Sequence, residues 1–256
     1  MTGSIAALHN YPIKGFSPQP TRLARLTAGH AFPDDRLMAV EIGPSGFDPG
    51  APAWIPKMRF AVLARLAELA RVKTRLDPST RRLEAHAPGG RALEADLTTE
   101  AGRRDFERWL EETLANQLPE PLEAPLRVLD GQGWRFTDHP LGHVSILNLA
   151  SIRDLEGRIG RRLDPLRFRA NVHVDGWPAW AELGWEGREI ALGTARVRVF
   201  KPIVRCTATE VDLATGVRDI DIPGELFRLY GHTLCGVYLH VEASGEVAPG
   251  DRALPL

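Results

Sequence analysis

The last hundred residues constrain the fold most. "ANVHVDG" (170–176), "REIALG" (188–193), "ARVRVFKP" (195–202), "CTATEVD" (206–212) and "CGVYLHVEASGEV" (235–247) are short, alternating or β-branched, and separated by turn residues. Alternation with period two sends successive side chains to opposite faces, so each segment reads as a strand with one buried side. "DLATGVRD" is a tight turn in which Gly216 is free to take positive φ. The first part of the chain has the same character. There "SIAALHNYPIK" (4–14), "TRLARLTAG" (21–29) and "RLMAVEIG" (36–43) are punctuated by Gly and Pro, as in a barrel or sandwich. "ARVKTRL" (70–76) and "RLEAHA" (82–87) flank "DPST" and predict a hairpin.

Helices are few. "TTEAGRRDFERWLEETLAN" (98–116) has Thr98 or Thr99 as cap and Phe106, Trp109, Leu110 and Leu114 at helical spacing. "ASIRDLEGRIG" (150–160) is a second helix, with Ile152, Leu155 and Ile159 on one face and Ser151 as its expected cap. "MRFAVLARLAEL" (58–69) is ambiguous and allows a short helix, whereas "HVSILN" (143–148) reads as a buried strand. The Pro-rich "LPEPLEAPL" (118–126) divides the chain into halves at 1–120 and 121–256. The fold class expected is mainly β with a few helices (α+β), with barrel closure.

Composition narrows the function. A net charge of −1 gives no support for nucleic-acid binding, and no run approaches the 18 apolar residues of a membrane span. The opening "MTGSIAALHNYPIKG" lacks the basic and apolar regions of a signal peptide, and two cysteines cannot build a disulfide framework. A cytoplasmic location is expected, with no membrane partner. Only four of the 32 basic residues are lysines, Lys14, Lys57, Lys73 and Lys201. Arginine holds carboxylates and phosphates through paired hydrogen bonds, so the excess suits an anionic ligand, although a GC-rich genome produces it too.

The candidate chemistry centres on Cys206, which follows Arg205 directly. Positive charge beside a thiol favours the nucleophilic, metal-binding thiolate. Strand neighbours point to opposite faces, so Arg205 reaches the sulfur only if the chain bends, for which Pro202 is available; a buried inert cysteine is the alternative. "HTLCGVYLH" offers His232, Cys235 and His240 to zinc, but with no CxxC pair or HExxH. Asp138, His139, His143 and Ser145 lie together in "DHPLGHVS" without a GxSxG elbow, and "APGGRAL" lacks the order of a phosphate-binding loop. Lys14, Arg36, Arg167, Arg169 and Asn171 together suit a distributed anion site, whereas any one of them alone reads as a solvated surface charge. Cys235, among apolar neighbours, is expected to be structural.

Several of these segments together resemble the MOSC superfamily, specifically members with an N-terminal β-barrel such as the amidoxime-reducing components and their bacterial relatives. "YPIKG" is similar to the opening YP[IV]K[SG], "DDRLMAV" to the D-R-aromatic strand, and "RFRANVHVDG" to F-R-P-N-[IV]. "KPIVRCTATEVDLATGVRD" resembles K-P-x-x-R-C-x-x-[TI]-x-V-D-x-x-T-G, and "LCGVYLHVEASGEVAPGD" the closing segment. The resemblance implies an N-terminal β-barrel-like domain (1–120) packed on a MOSC β-barrel domain (121–256). It implies a molybdenum cofactor (Mo-molybdopterin) with Cys206 as thiolate ligand to the metal and as the catalytic residue. Lys14, Gly15, Arg36, Asp138, Ser145, Arg169, Asn171 and Arg205 fall at or near motif positions that contact the pterin or its phosphate.

The implied activity is an oxidoreductase, independent of pyridoxal phosphate, that reduces the N–O bond of a small N-hydroxylated molecule. No flavin motif or cluster cysteines are present, so electrons are expected from a separate donor protein of ferredoxin or flavoprotein type. A sulfur carrier or cofactor-handling protein with a Cys206 persulfide is the alternative, and a non-catalytic anion-binding module a third. The sequence departs from the family at Gly15 (usually serine), Ala170 (proline), Val204 (serine) and throughout "WIPKMRF".

Overall fold

Alternating apolar residues close a barrel. The computed structural model describes residues 2–141 and 143–256. Its strands are β1 (Gly3–Asn10), β2 (Gln19–Thr21), β3 (Ala24–Leu26), β4 (Met38–Glu41), β5 (Lys73–Leu76), β6 (Arg82–His86), β7 (Ala92–Asp96) and β8 (Arg127–Asp130). They continue with β9 (Val144–Asn148), β10 (Val172–Asp175), β11 (Glu189–Leu192), β12 (Ala195–Val204), β13 (Leu234–Ala243), β14 (Gly245–Val247) and β15 (Arg252–Pro255). The helices are α1 (Glu100–Thr113), α2 (Leu149–Ile159) and α3 (Ile222–Tyr230). Strands β10, β9, β13, β12, β11, β15 and β1 pair in that order, and β1 returns to β10, giving a closed seven-stranded barrel. Ile5, Leu8, Ile146, Val172, Val174, Val197, Val237 and Leu239 fill its interior. The parallel pair β9–β10 is joined through α2, the crossover that parallel strands require.

Residues from β4 to β8 build most of a second unit. Here β5, β6 and β7 form an antiparallel sheet, with Leu76 opposite Leu83. Helix α1 buries Phe106, Trp109 and Leu110 against a core that includes Phe16, Met38 and Leu66. Thr99 caps α1 through its hydroxyl, which accepts from Gly102 N at 3.0 Å. Hydrogen bonding links the two units across residue 120: β1 is a stave of the large barrel, and β8 pairs with β4.

Packing overrides local propensity in four places. Segment 58–69 makes only short 3-10 turns, Lys57–Arg59 and Ala67–Arg71, because Phe60 and Val62 face one core while Ala61, Leu63 and Leu66 face another. Segment 21–29 is split between β2, on β1, and β3, on β14. The expected strand from Cys206 is a 3-10 turn, Thr207–Glu210, pinned where Thr209 donates through both N and Oγ1 to Cys206 O. Asn148, not Ser151, caps α2: its Oδ1 accepts from Ala150 N, while Ser151 Oγ donates to the buried Glu182.

Candidate functional site

Strand β12 ends in a change of register against β13 between Pro202 and Val204, and Gly236 on β13 takes φ 71° nearby. This bend decides where Arg205 points. Its Nε and Nη2 donate to Cys235 O at 2.7 and 2.5 Å, and Nη1 donates to Phe168 O at 2.7 Å. Arg205 is therefore a strap between backbone segments, its guanidinium spent on carbonyls. The cation beside Cys206 is Lys57, whose Nζ donates to Sγ at 3.1 Å. Burial works against the Lys57 charge, but the attraction and hydrogen bond of the Cys206 sulfur outweigh it and hold the ammonium above its usual range. Cys206 is half-buried, at the head of the Thr207–Glu210 turn.

Both units contribute to a cleft of about 310 Å³ around this thiol. Asp35, Arg36 and Lys57 come from the first, and Asp138, Ser145, Arg169, Asn171, Arg205 and Cys206 from the second. Arg36 and Arg169 both adopt left-handed backbone, at φ 49° and 53°, and bring their guanidinium groups to 4.6 and 4.4 Å from the Tyr11 ring centre. Arg36 pairs with Asp35, and Arg169 Nη1 donates to Phe16 O at 2.9 Å. Arg169 Nη2 is buried with no partner. Burial pulls the Arg169 guanidinium down to about 10, with Tyr11 opposing and Arg36 reinforcing that shift. An anion here would meet an unspent donor and relieve the repulsion between two arginines.

Lys14 stands behind the cleft wall. It is 3% exposed, donates to Phe136 O at 2.9 Å and pairs with Asp138, which reaches the cleft. Desolvation opposes ionisation of Asp138, yet Lys14, Arg36 and Lys57 hold its carboxyl well below the usual carboxylate range. Ser145 and Asn171 satisfy each other on the adjacent strands: Ser145 Oγ donates to Asn171 Oδ1 at 2.9 Å. Neither histidine of the 138–145 segment is engaged by that serine.

Gly15 lies outside the cysteine cleft and lines a second cavity. Its φ is 87°, and a Cβ added there would sit 2.1 Å from Ala61 O. Two departures from the family pattern thus fit one another, because the backbone after "WIPKMRF" occupies the space a serine would need. Gly15→Ser should destabilise the protein by about 2–4 kcal/mol, combining backbone strain with overpacking. Denaturant unfolding checks this; an unchanged midpoint would show that the segment shifts freely.

Residues that the sequence did not single out complete the walls. Besides Lys57, they include Thr137, Lys201, Thr209 and Tyr238. His139 and His143 also line the cleft, and His143 packs against Phe200 and His240 with ring centres 4.4 Å apart in each case. Burial, then His240 and His139, push the His143 imidazole down to about 3, so it is neutral at physiological pH. Lys57 carries no local signal; packing alone brings it to a cysteine 149 positions away.

Cys235 is fully buried beside Leu147, Phe168 and Leu226, and burial pushes its thiol up to about 12. Cys235→Ala should cost about 1 kcal/mol and leave ligand binding in the cleft intact. A folded Cys235→Ala protein that loses cleft ligands would overturn this structural role.

Residues 135–253 match the MOSC domain, and residues 2–122 match the MOSC N-terminal beta barrel domain. Among curated proteins, the chain is 30% identical over 118 residues to mitochondrial amidoxime-reducing component 1 of Mus musculus, covering 41% of this chain and 34% of that protein. It is 32% identical over 120 residues to mitochondrial amidoxime reducing component 2 of Bos taurus, covering 42% of this chain and 35% of that protein. The matched stretch thus spans about a third of these relatives' length. Among solved structures, YuaD from Bacillus subtilis is similar with a TM-score of 0.45 at 16% identity, over 99% of this chain and 94% of that one. YiiM from Geobacillus stearothermophilus gives a TM-score of 0.35 at 23% identity, over 44% of this chain and 53% of that one. Among the described residues no helix is long and apolar enough to cross a membrane. With both domain families matched in chain order, and a mainly β fold with a closed barrel and, among the described residues, three α-helices, the chain belongs to the MOSC superfamily as a member with the N-terminal β-barrel domain.

Proposed function

We propose that this protein binds a molybdenum cofactor in the cysteine cleft and reduces small N-hydroxylated molecules with electrons from a separate donor protein. One observation carries the reading: a half-buried thiol paired with Lys57 shares a cleft with two stacked arginines, one of which has an unspent buried donor. A thiolate suits a soft metal, and the arginines suit an anionic group on the same ligand. Cys206 would hold the metal, while Arg36 and Arg169 would hold the anionic part. Ser145 and Asn171 would shape the floor beneath it. When bound, the cofactor supplies two-electron redox chemistry.

The protein's own residues supply orientation and protons. Reduction of R–NH–OH to R–NH2 and water takes two electrons and two protons, so hydrogen-bonding groups must reach the hydroxyl. Asp138, held ionised, accepts a hydrogen bond and orients an N–H or O–H of the substrate. His139 is lowered by burial, with Lys201 and His240 adding to it, so at neutral pH its ring is uncharged; Nδ1 accepts from Leu141 N, which leaves Nε2–H as a donor toward the substrate. The curated relatives' name, amidoxime-reducing component, supports this choice of reaction.

The test is metal and pterin determination on protein purified from a host that makes the cofactor. Stoichiometric molybdenum and pterin are expected, with reduction of benzamidoxime by a chemical donor. Cyanide-releasable sulfur without molybdenum would instead assign Cys206 to sulfur transfer, and neither would leave an anion-binding module.

A further inference from the structure

A second cavity, of about 480 Å³, shares Arg169 with the cysteine cleft and lies between the two units. Phe16, Leu63, Leu69 and Ala70 line it from the first unit, and Leu166 and Leu213 from the second. Walls of this kind hold water poorly and favour apolar ligands. The polar groups are few, and most are already engaged. Ser17 Oγ donates to Val72 O and accepts from Thr74 N at 3.0 Å. Asp164 Oδ1 accepts from Leu166 N at 2.9 Å, which fixes this carboxylate at the start of its turn.

Two cations remain. Lys73 Nζ donates to Ala70 O at 2.8 Å and Leu213 O at 2.7 Å, so it ties the two walls together and keeps a third N–H. Arg169 contributes a second cation whose Nη2 has no partner in the protein. With Asp164 counted, the cavity carries one positive charge in excess. We infer that this cavity binds a small amphiphilic carboxylate, its apolar body between the leucines and its carboxylate at Lys73, with Arg169 adding positive charge from the wall shared with the cysteine cleft. Its occupancy requires neither molybdenum nor N–O reduction.

The experiment is titration calorimetry of the full chain with octanoate, with octan-1-ol as the uncharged control. Saturable one-to-one octanoate binding is expected, about tenfold tighter than octanol, since one charge-assisted hydrogen bond is worth about that factor. Lys73→Gln should weaken octanoate several-fold and leave octanol unchanged. Ala214→Trp, at the exposed rim, should weaken both about tenfold or more, with circular dichroism confirming the fold. Absence of saturable binding overturns the site, and so does octanoate binding that is indifferent to Ala214→Trp. Equal affinity for octanol, with no effect of Lys73→Gln, overturns the carboxylate class.

Discussion

Under the proposed function, Cys206→Ser is expected to lower N–O reduction by at least about 100-fold, to the background of the assay. Loss of groups that only support a metal's ligands costs about 10–100-fold in general, and removal of a ligand exceeds that. Serine keeps nearly the same volume, so the fold and the Arg36–Tyr11–Arg169 end of the cleft stay in place. Cofactor is therefore expected to bind more weakly, with the sulfur-to-metal absorption gone. Cys206→Ala should behave alike, because the role belongs to sulfur and not to a hydrogen bond. Measurement of metal content, visible absorption and benzamidoxime reduction on folded variants checks the outcome. Full activity with an unaltered spectrum in Cys206→Ser would remove the thiolate from the site.

The second large effect is a loss of stability in mild acid. His173 is 4% exposed and His143 6%, and each imidazole is pushed from 6.5 down to about 3. Burial is the main cause for both; His9 and Arg205 add to it at His173, and His240, His139 and Lys201 at His143. The unfolded chain takes up a proton at each site below about pH 6.5, and the native chain does not until about pH 3. Stability is thus complete above about pH 6.5 and declines as pH falls through that window. At pH 5 each histidine costs about 2 kcal/mol relative to pH 8, so the pair removes about 4 kcal/mol, a large share of a typical folding free energy. Urea unfolding at pH 8, 6 and 5 measures this, and His173→Gln should recover about half of the loss. An acid profile identical in His173→Gln would place the proton uptake elsewhere.

What could be read in the sequence was what neighbours decide. The strands around Val172, Ile190 and Val197 alternate cleanly, and Thr99 announces α1 through a hydroxyl three residues from its target amide. Helix α3 was not anticipated: Asp221 caps it and Pro223 lies in its first turn, but Gly224 beside the proline weakens the local helical pattern. Closure of the barrel was visible only as an expectation, because Leu8 meets Val172 through pairing that no local pattern encodes.

The site divides in the same way. Cys206, Arg36 and Arg169 stood out through their motif positions, and the fold gathers them in one cleft. Arg205 stood out for its place beside the cysteine, yet the register change turns it inward onto carbonyls. The charge at the thiol comes from Lys57, in the segment that departs most from the family pattern. Adjacent positions in a strand separate in space, and distant turns converge.

Strand β1 is synthesised early, but both of its partners in the barrel, β10 and β15, are made long after it. During translation this strand has only β2 to pair with, at Leu8–Asn10, and the ring shuts only when residues 252–255 have emerged. Cys206 and Arg169 lie on the walls of that ring's cleft, so a ligand joining them to Arg36 arrives after the ribosome has finished with these segments. Assembly is thereby ordered in time. The nascent chain offers an open strand edge to any chaperone or neighbouring polypeptide until the seam is sewn.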